Sequence, residues 1–159
     1  MYMFTVGDKI VYPMHGAGII EKIEEKKILD ETRKYYILQV PCGDMKIMIP
    51  VDGSKEIGIR SVVSEEELAG VMATLNGASS EMSSNWNRRY RENMEKLKTG
   101  DVIEVAEVVR NLMRTDRQKK LSTGEKKMLT NAKQILSSEI ILIRGIDLTE
   151  ANSIIEKAV

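Results

Sequence analysis

Few side chains in this sequence could do chemistry. There is one histidine, His15 in "PMHGAGI", and one cysteine, Cys42 in "PCGD". His15 falls where a turn is expected, and no partner stands beside it in sequence, so a role in shaping the turn outweighs one as general base. Cys42 reads as an incidental small residue, not a nucleophile. A zinc site built from His and Cys ligands is excluded by their number. "GAG" lacks the third glycine of a dinucleotide fingerprint, and there is no P-loop. No catalytic residue, metal or cofactor is expected, and the chain is not expected to be an enzyme.

The remaining chemistry is that of binding a polyanion. In "NWNRRYRENMEKL", the only tryptophan, Trp86, stands between Asn85 and Asn87 and is followed by Arg88, Arg89 and Arg91. Further on, Lys119 and Lys120 precede an expected helix start, and Lys126 and Lys127 fall in its first turn. Helix N-termini favour acidic residues, and each cation there costs perhaps 0.3–1 kcal/mol at low salt. The rule is broken twice with the same sign. Phosphate contacts would offset that cost, but a charge run is also the ordinary composition of a solvated face. Trp86 has two readings as well. The row Trp86, Tyr90, Met94 and Leu97 has helical spacing, which suits a core knob. A rigid ring at a helix tip flanked by arginines also suits a wedge into a nucleic-acid groove. Spacing alone leaves both open.

These residues must be positioned by a scaffold, and the chain reads as two. Its 159 residues are 42% hydrophobic and 30% charged, which suits one large or two small folded domains. Net charge is zero, but residues 1–77 carry −3 and residues 84–145 carry +6. A polyanion would meet the second half. The first sixty residues read as short strands: "DKIVYP", an alternating stretch after "HGAG", "RKYYILQVP", "MKIMIP" and a possible fifth in "EIGIRSVV". A turn is expected at "CGD". Such strands with Gly and Pro punctuation suggest a small barrel.

The character changes at Ser64, where "SEEE" is a capping box. "NGASSEMSSN" reads as a flexible linker before a helix from Ser84 or Asn85 to about Lys98. "GDVIEVAEVVRNLMR" is amphipathic, "STGE" is a second capping box, and a last helix is expected over 148–158 after Asp147. The fold class is therefore α+β, with a β domain over 1–61 and an all-helical bundle over 64–159. Apolar runs such as "IILI" fall far short of the roughly 20 residues that span a bilayer. The N-terminus lacks signal-peptide character, and a cytoplasmic protein is expected.

Four blocks, "FTVGDKIVYPMHGAGIIE", "GDMKIMIP", "NWNRRYRENMEKLKTGDVIEVAEVVRNL" and "LSTGEKKML", resemble the CarD/CdnL family of bacterial transcription regulators in order and spacing. The first 60 residues are also similar to the polymerase-binding module of the transcription-repair coupling factor, and the helical half separates the two. The resemblance implies a Tudor-like β domain that docks on the β-subunit of RNA polymerase by pairing an edge strand with a polymerase strand. The matching strand is Met45, Lys46, Ile47, Met48, Ile49 and Pro50, with Lys26 in a nearby contact position. Met48 departs from relatives that carry arginine there. A proline at Ile47 is expected to abolish binding if the Ile47 N–H pairs across that interface.

For the helical domain, the resemblance implies contact with promoter DNA at the upstream edge of the transcription bubble. Trp86 matches the family's minor-groove wedge, beside Asn85, and Arg88, Arg89, Arg91, Lys126 and Lys127 match its basic DNA contacts. The implied activity is stabilisation of the open complex, by a monomer held on the nucleoid through polymerase. The rival reading is an adaptor that binds polymerase or another protein without touching DNA.

Overall fold

Alternating β-branched and aromatic residues build a sheet, and glycines and prolines mark its corners. The computed structural model describes residues 3–41 and 45–159, so Cys42 and the turn expected at "CGD" lie outside the described residues. Strands β1 (Lys9–Tyr12), β2 (Gly16–Ile28), β3 (Glu31–Gln39), β4 (Lys46–Pro50) and β5 (Arg60–Ser61) form one antiparallel sheet in the order β4-β3-β2-β1-β5. The expected barrel is not closed. The edges β4 and β5 do not pair with each other, and closure needs edge strands of matching length and stagger, whereas β5 has only two residues. Of the expected fifth strand over 56–63 only Arg60–Ser61 pairs, and its first two residues, Glu56 and Ile57, end a single helical turn, α1 (Ser54–Ile57).

One sheet face carries a small core of Ile10, Ile20, Tyr36, Leu38, Ile49 and Ile59, with Phe4 edge-on to Tyr36. The other face presents Val11 and Ala17 to Leu142 of the helical half.

Five longer helices follow: α2 (Glu65–Asn76), α3 (Trp86–Lys98), α4 (Val102–Gln118), α5 (Thr123–Arg144) and α6 (Leu148–Ala158). Each begins at a side chain that accepts an orphan N–H, worth about 1 kcal/mol: Ser64, Asn85, Asp101, Ser122 and Asp147. Ser64 and Glu67 close both arms of a capping box. Their apolar stripes meet in one core that includes Leu68, Val71, Leu97, Val105, Leu112, Met128, Leu136 and Ile155. None of these helices is long and apolar enough to cross a membrane, among the described residues.

The segment between α2 and α3 is pinned, which corrects the reading of it as a flexible linker. Arg110, 5% exposed, donates to the Thr74 carbonyl and Ser80 Oγ, and Arg114 donates to the Leu75 and Gly77 carbonyls and to Ser79 Oγ. The Ser80 N–H reaches Asn111 Oδ1. Two guanidinium forks on α4 thus satisfy the carbonyls that α2 leaves at its end.

The sheet and the helices share α5. Gly16 has φ 100°, a conformation that side chains rarely adopt, and a Cβ there would lie 2.8 Å from Ser138 Oγ and displace that hydroxyl. With glycine, the Ala17 N–H donates to Ser138 Oγ at 2.8 Å. Glu139, 2% exposed, takes the Arg60 fork at 2.8 and 2.9 Å and the Val63 N–H at 2.9 Å. Lys9 Nζ reaches the Leu142 carbonyl.

Candidate functional site: a helix tip and a sheet edge

Helix α3 starts at Trp86 because Asn85 ends the extended backbone before it and its Oδ1 accepts the Arg88 N–H at 3.0 Å. Along the row Trp86, Tyr90, Met94, Leu97 exposure falls from 42% at Trp86 to 0% at Leu97. Tyr90 and Met94 lie between these, packed against the helical core. The helical spacing is that of a core stripe, but the tip overshoots the core. Trp86 comes to rest on the first turn of α5, stacked on Tyr90 with ring centroids 5.2 Å apart. Its Nε1–H donates to Ser122 Oγ at 2.9 Å.

The three arginines part company by helical phase. Arg89 shares a face with Trp86, Tyr90 and buried Asn93, and so points at α5. Its Nε and Nη2 donate to the two oxygens of Glu125 at 2.9 and 3.1 Å, and Nη1 donates to the Ser83 carbonyl at 3.1 Å. This bidentate pair is largely buried, with side-chain exposures of 17% and 4%. The hydrogen bond from Arg89 holds the Glu125 carboxyl below its ordinary range against a burial effect in the opposite direction. The same bond raises Arg89 above its ordinary value.

Arg88 and Arg91 lie on the solvent side of α3. Arg88 makes an exposed i,i+4 pair with Glu92 at 2.7 Å, the kind worth about 0.3–0.5 kcal/mol. Arg91, Lys126 and Lys127 are exposed and make no ion pair among the described residues. Lys126 and Lys127 line a shallow concavity with Thr123, Thr130, Asn131 and Gln134. The contact between Trp86 and Ser122 therefore brings the two basic helix starts, α3 and α5, side by side. Of the expected DNA residues, Arg88, Arg91, Lys126 and Lys127 present charge to solvent. Asn85 spends its carbonyl oxygen on the cap, and Arg89 turns inward.

The sequence reading missed Ser122 and Glu125 as neighbours of Trp86. The box "STGE" was legible, and Ser122 does cap α5 through the Glu125 N–H. Glu125, however, does not return its carboxylate to the backbone of Ser122. It takes Ser122 Oγ–H at 3.2 Å and the fork of Arg89 instead, a partner 36 residues away that no local motif indicates.

The second candidate surface is β4, at one edge of the sheet. Val40 donates to the Met45 carbonyl and Val51 to the Lys34 carbonyl, and the register pairs Leu38 with Ile47 and Tyr36 with Ile49. Antiparallel alternation then turns the N–H groups of Ile47 and Ile49 toward β3, and those of Lys46 and Met48 outward. The expectation for Ile47 is therefore corrected, since its N–H belongs to the sheet itself. Pro50, which lacks an N–H, falls at the third outward position, where a proline costs no ladder bond. Met45 and Met48 are exposed, and Lys46 Nζ lies 3.1 Å from Glu21. Lys26 stands apart from this edge. It pairs with Arg33 on the part of the β2–β3 hairpin that extends past the end of β4, where Pro50 meets Tyr35.

Comparison with known proteins gives concordant matches over both halves. Residues 4–63 match the family model described as CarD-like/TRCF RID domain, and residues 70–156 match CarD, C-terminal domain. The chain is similar to the Bacillus subtilis (strain 168) protein named "Putative transcription factor YdeB". The two are 46% identical over 144 residues, 91% of this chain and 94% of that one. With both of its halves matched in order and a relative this similar along nearly its whole length, the chain belongs to the CarD family.

Proposed function

We propose that this CarD-family protein is a non-enzymatic transcription regulator that docks on the RNA polymerase β-subunit through β4 and stabilises the open promoter complex by placing Trp86 at the upstream edge of the bubble. The observation that carries the reading is the half-exposed tryptophan, held at a helix tip between two basic helix starts. A ring held there meets a widened, partly unstacked groove at less cost than an intact duplex, where unstacking takes a few kcal/mol per step. A ligand shifts an equilibrium only by its differential affinity for the two states, so the protein favours the open form. Arg88, Arg91, Lys126 and Lys127 supply sequence-tolerant phosphate contacts. Polymerase docking raises the effective concentration, so a weak DNA contact suffices.

For the polymerase side, β4 offers outward N–H groups at Lys46 and Met48, and outward carbonyls at Lys46, Met48 and Pro50, for an added strand. Lys26 contributes from the hairpin arm, and residues 1–61 are the docking domain. Decay of open complexes formed with purified polymerase tests the reading. The wild-type protein is expected to lengthen their lifetime, Trp86→Ala to return it toward the value without protein, and Met48→Pro to remove binding to the β-subunit. If Trp86→Ala leaves the lifetime unchanged while polymerase binding persists, the protein is an adaptor without DNA contact.

A further inference from the structure

The Ser122 hydroxyl has one proton and two lone pairs, and all three are used. It donates to Glu125 Oε1 at 3.2 Å, accepts the Glu125 N–H at 3.2 Å and accepts Trp86 Nε1–H at 2.9 Å. Glu125, 3% exposed, is fixed in turn by the Arg89 fork. The Arg89 fork is itself anchored at the Ser83 carbonyl, just before α3. Beneath the ring lies Gly124, where a Cβ would meet Trp86 Cζ2 at 3.4 Å and Tyr90 Cε2 at 3.7 Å. The indole is thus held at its nitrogen by a hydroxyl with no bonding capacity to spare, and one face of it lies over the first turn of α5 at Gly124.

We propose that Ser122 and Glu125, with Arg89, are positioning residues that fix the orientation of Trp86 and lock the start of α3 to the start of α5. Arg89 acts here through Glu125 and not at a phosphate. This deepens the function proposed above and rests on it, because orientation of the ring matters only if the ring is used. The chain of contacts runs from the Ser83 carbonyl through Arg89, Glu125 and Ser122 to the indole nitrogen. It costs the tip one of its three arginine charges and gives in exchange a ring that is aimed before it meets a partner, which lowers the ordering cost of binding.

Trp86 is the only tryptophan, so its emission reports on the brace directly, in the full chain and without any partner. Ser122→Gly is the informative variant. Glycine caps a helix almost as well as serine, yet it removes the indole's acceptor. Glu125→Gln keeps the side-chain shape but sets an amide donor against the Arg89 fork. For both variants we expect helical content close to wild type, an emission maximum shifted to the red, and easier acrylamide quenching. Open-complex lifetimes should fall several-fold, to between wild type and Trp86→Ala. Wild-type emission in both variants would overturn the brace. Shifted emission with a wild-type lifetime would overturn the positioning role, since a freed ring would then serve as well as a held one. If Trp86→Ala itself leaves the lifetime unchanged, the function proposed above fails, and the positioning role with it. The emission data would then still decide whether the brace exists.

Discussion

Helix α5 carries a buried glutamate near each end, and each receives a bidentate arginine from another element. Glu139 takes Arg60 from the sheet side and Glu125 takes Arg89 from α3. The chemistry is the same and the surroundings differ. Around Glu139 lies a seam, with Val11, Ala17 and Leu142 packed together, the Val63 N–H on the same carboxylate, and Arg60 also donating to the Gly100 carbonyl. Around Glu125 lies a tip, with a half-exposed ring, a helix start and solvent nearby. A buried ion pair in a seam decides whether two layers stay together, whereas one at a tip decides how a surface group is presented.

The largest effect is expected at the seam. Glu139→Ala leaves Arg60 an unpaired cation held in place and orphans the Val63 N–H, and it should cost about 3–5 kcal/mol. Urea denaturation checks this, and a loss below that of a tip variant would reverse the ranking. At the tip, Glu125→Ala should cost less, about 1.5–3 kcal/mol, because the Glu125 carboxylate accepts only side-chain donors and its loss orphans no backbone N–H as the loss of Glu139 does at Val63. The same denaturation series should show the smaller loss, together with a large change in tryptophan emission.

Acid should act as a milder form of that variant. The Glu125 carboxyl is held below its ordinary value, mainly by the Arg89 hydrogen bond. Its contribution to stability is present above the ordinary carboxylate range and is lost as pH falls through the lowered folded value. Tryptophan emission should stay constant through neutral pH and shift only in that acid range. A shift near neutrality would mean that another group governs the ring. The smallest effect on stability belongs to Lys126→Ala with Lys127→Ala. These exposed side chains should change it by no more than about 0.5 kcal/mol each. Yet the salt dependence of duplex binding should weaken by a slope of about 0.9 per lost phosphate contact.

The comparison also separates what was readable in the sequence from what was not. Helix starts were legible, because Ser64, Asn85, Ser122 and Asp147 act within three residues of themselves. Strand "MKIMIP" and its stop at Pro50 were legible for the same reason. The buried pairs were not, since Arg60 and Glu139 lie 79 positions apart and Arg89 and Glu125 lie 36 apart. Arg89 was read as equivalent to Arg88 and Arg91, although helical phase already set it on the face of Trp86 and Tyr90. The barrel stays open with a fifth strand of only two residues, and of the expected stretch "EIGIRSVV" the helical turn takes the first two, Glu56 and Ile57, a choice that "SKEI" makes only with its flanking turns in place. The linker composition suggested mobility, but the two arginines that pin it lie more than thirty positions further on.

Helix α5 is a single uninterrupted rod of 22 residues, about 33 Å long at 1.5 Å per residue. Ser122 and Glu125 are read near its first turn, while Ser138 and Glu139 are read against the sheet. The bearing of the tip relative to β4 is therefore stored as a residue count. One residue inserted near Asn131 would rotate everything before it by about 100° and advance it by only about 1.5 Å. Seven inserted residues would nearly restore the bearing and lengthen the reach by about 10 Å. Substitutions along the solvent side of this stretch leave the count untouched. Length changes do not, so the middle of α5 is a place where the gene can vary in letters but not in number.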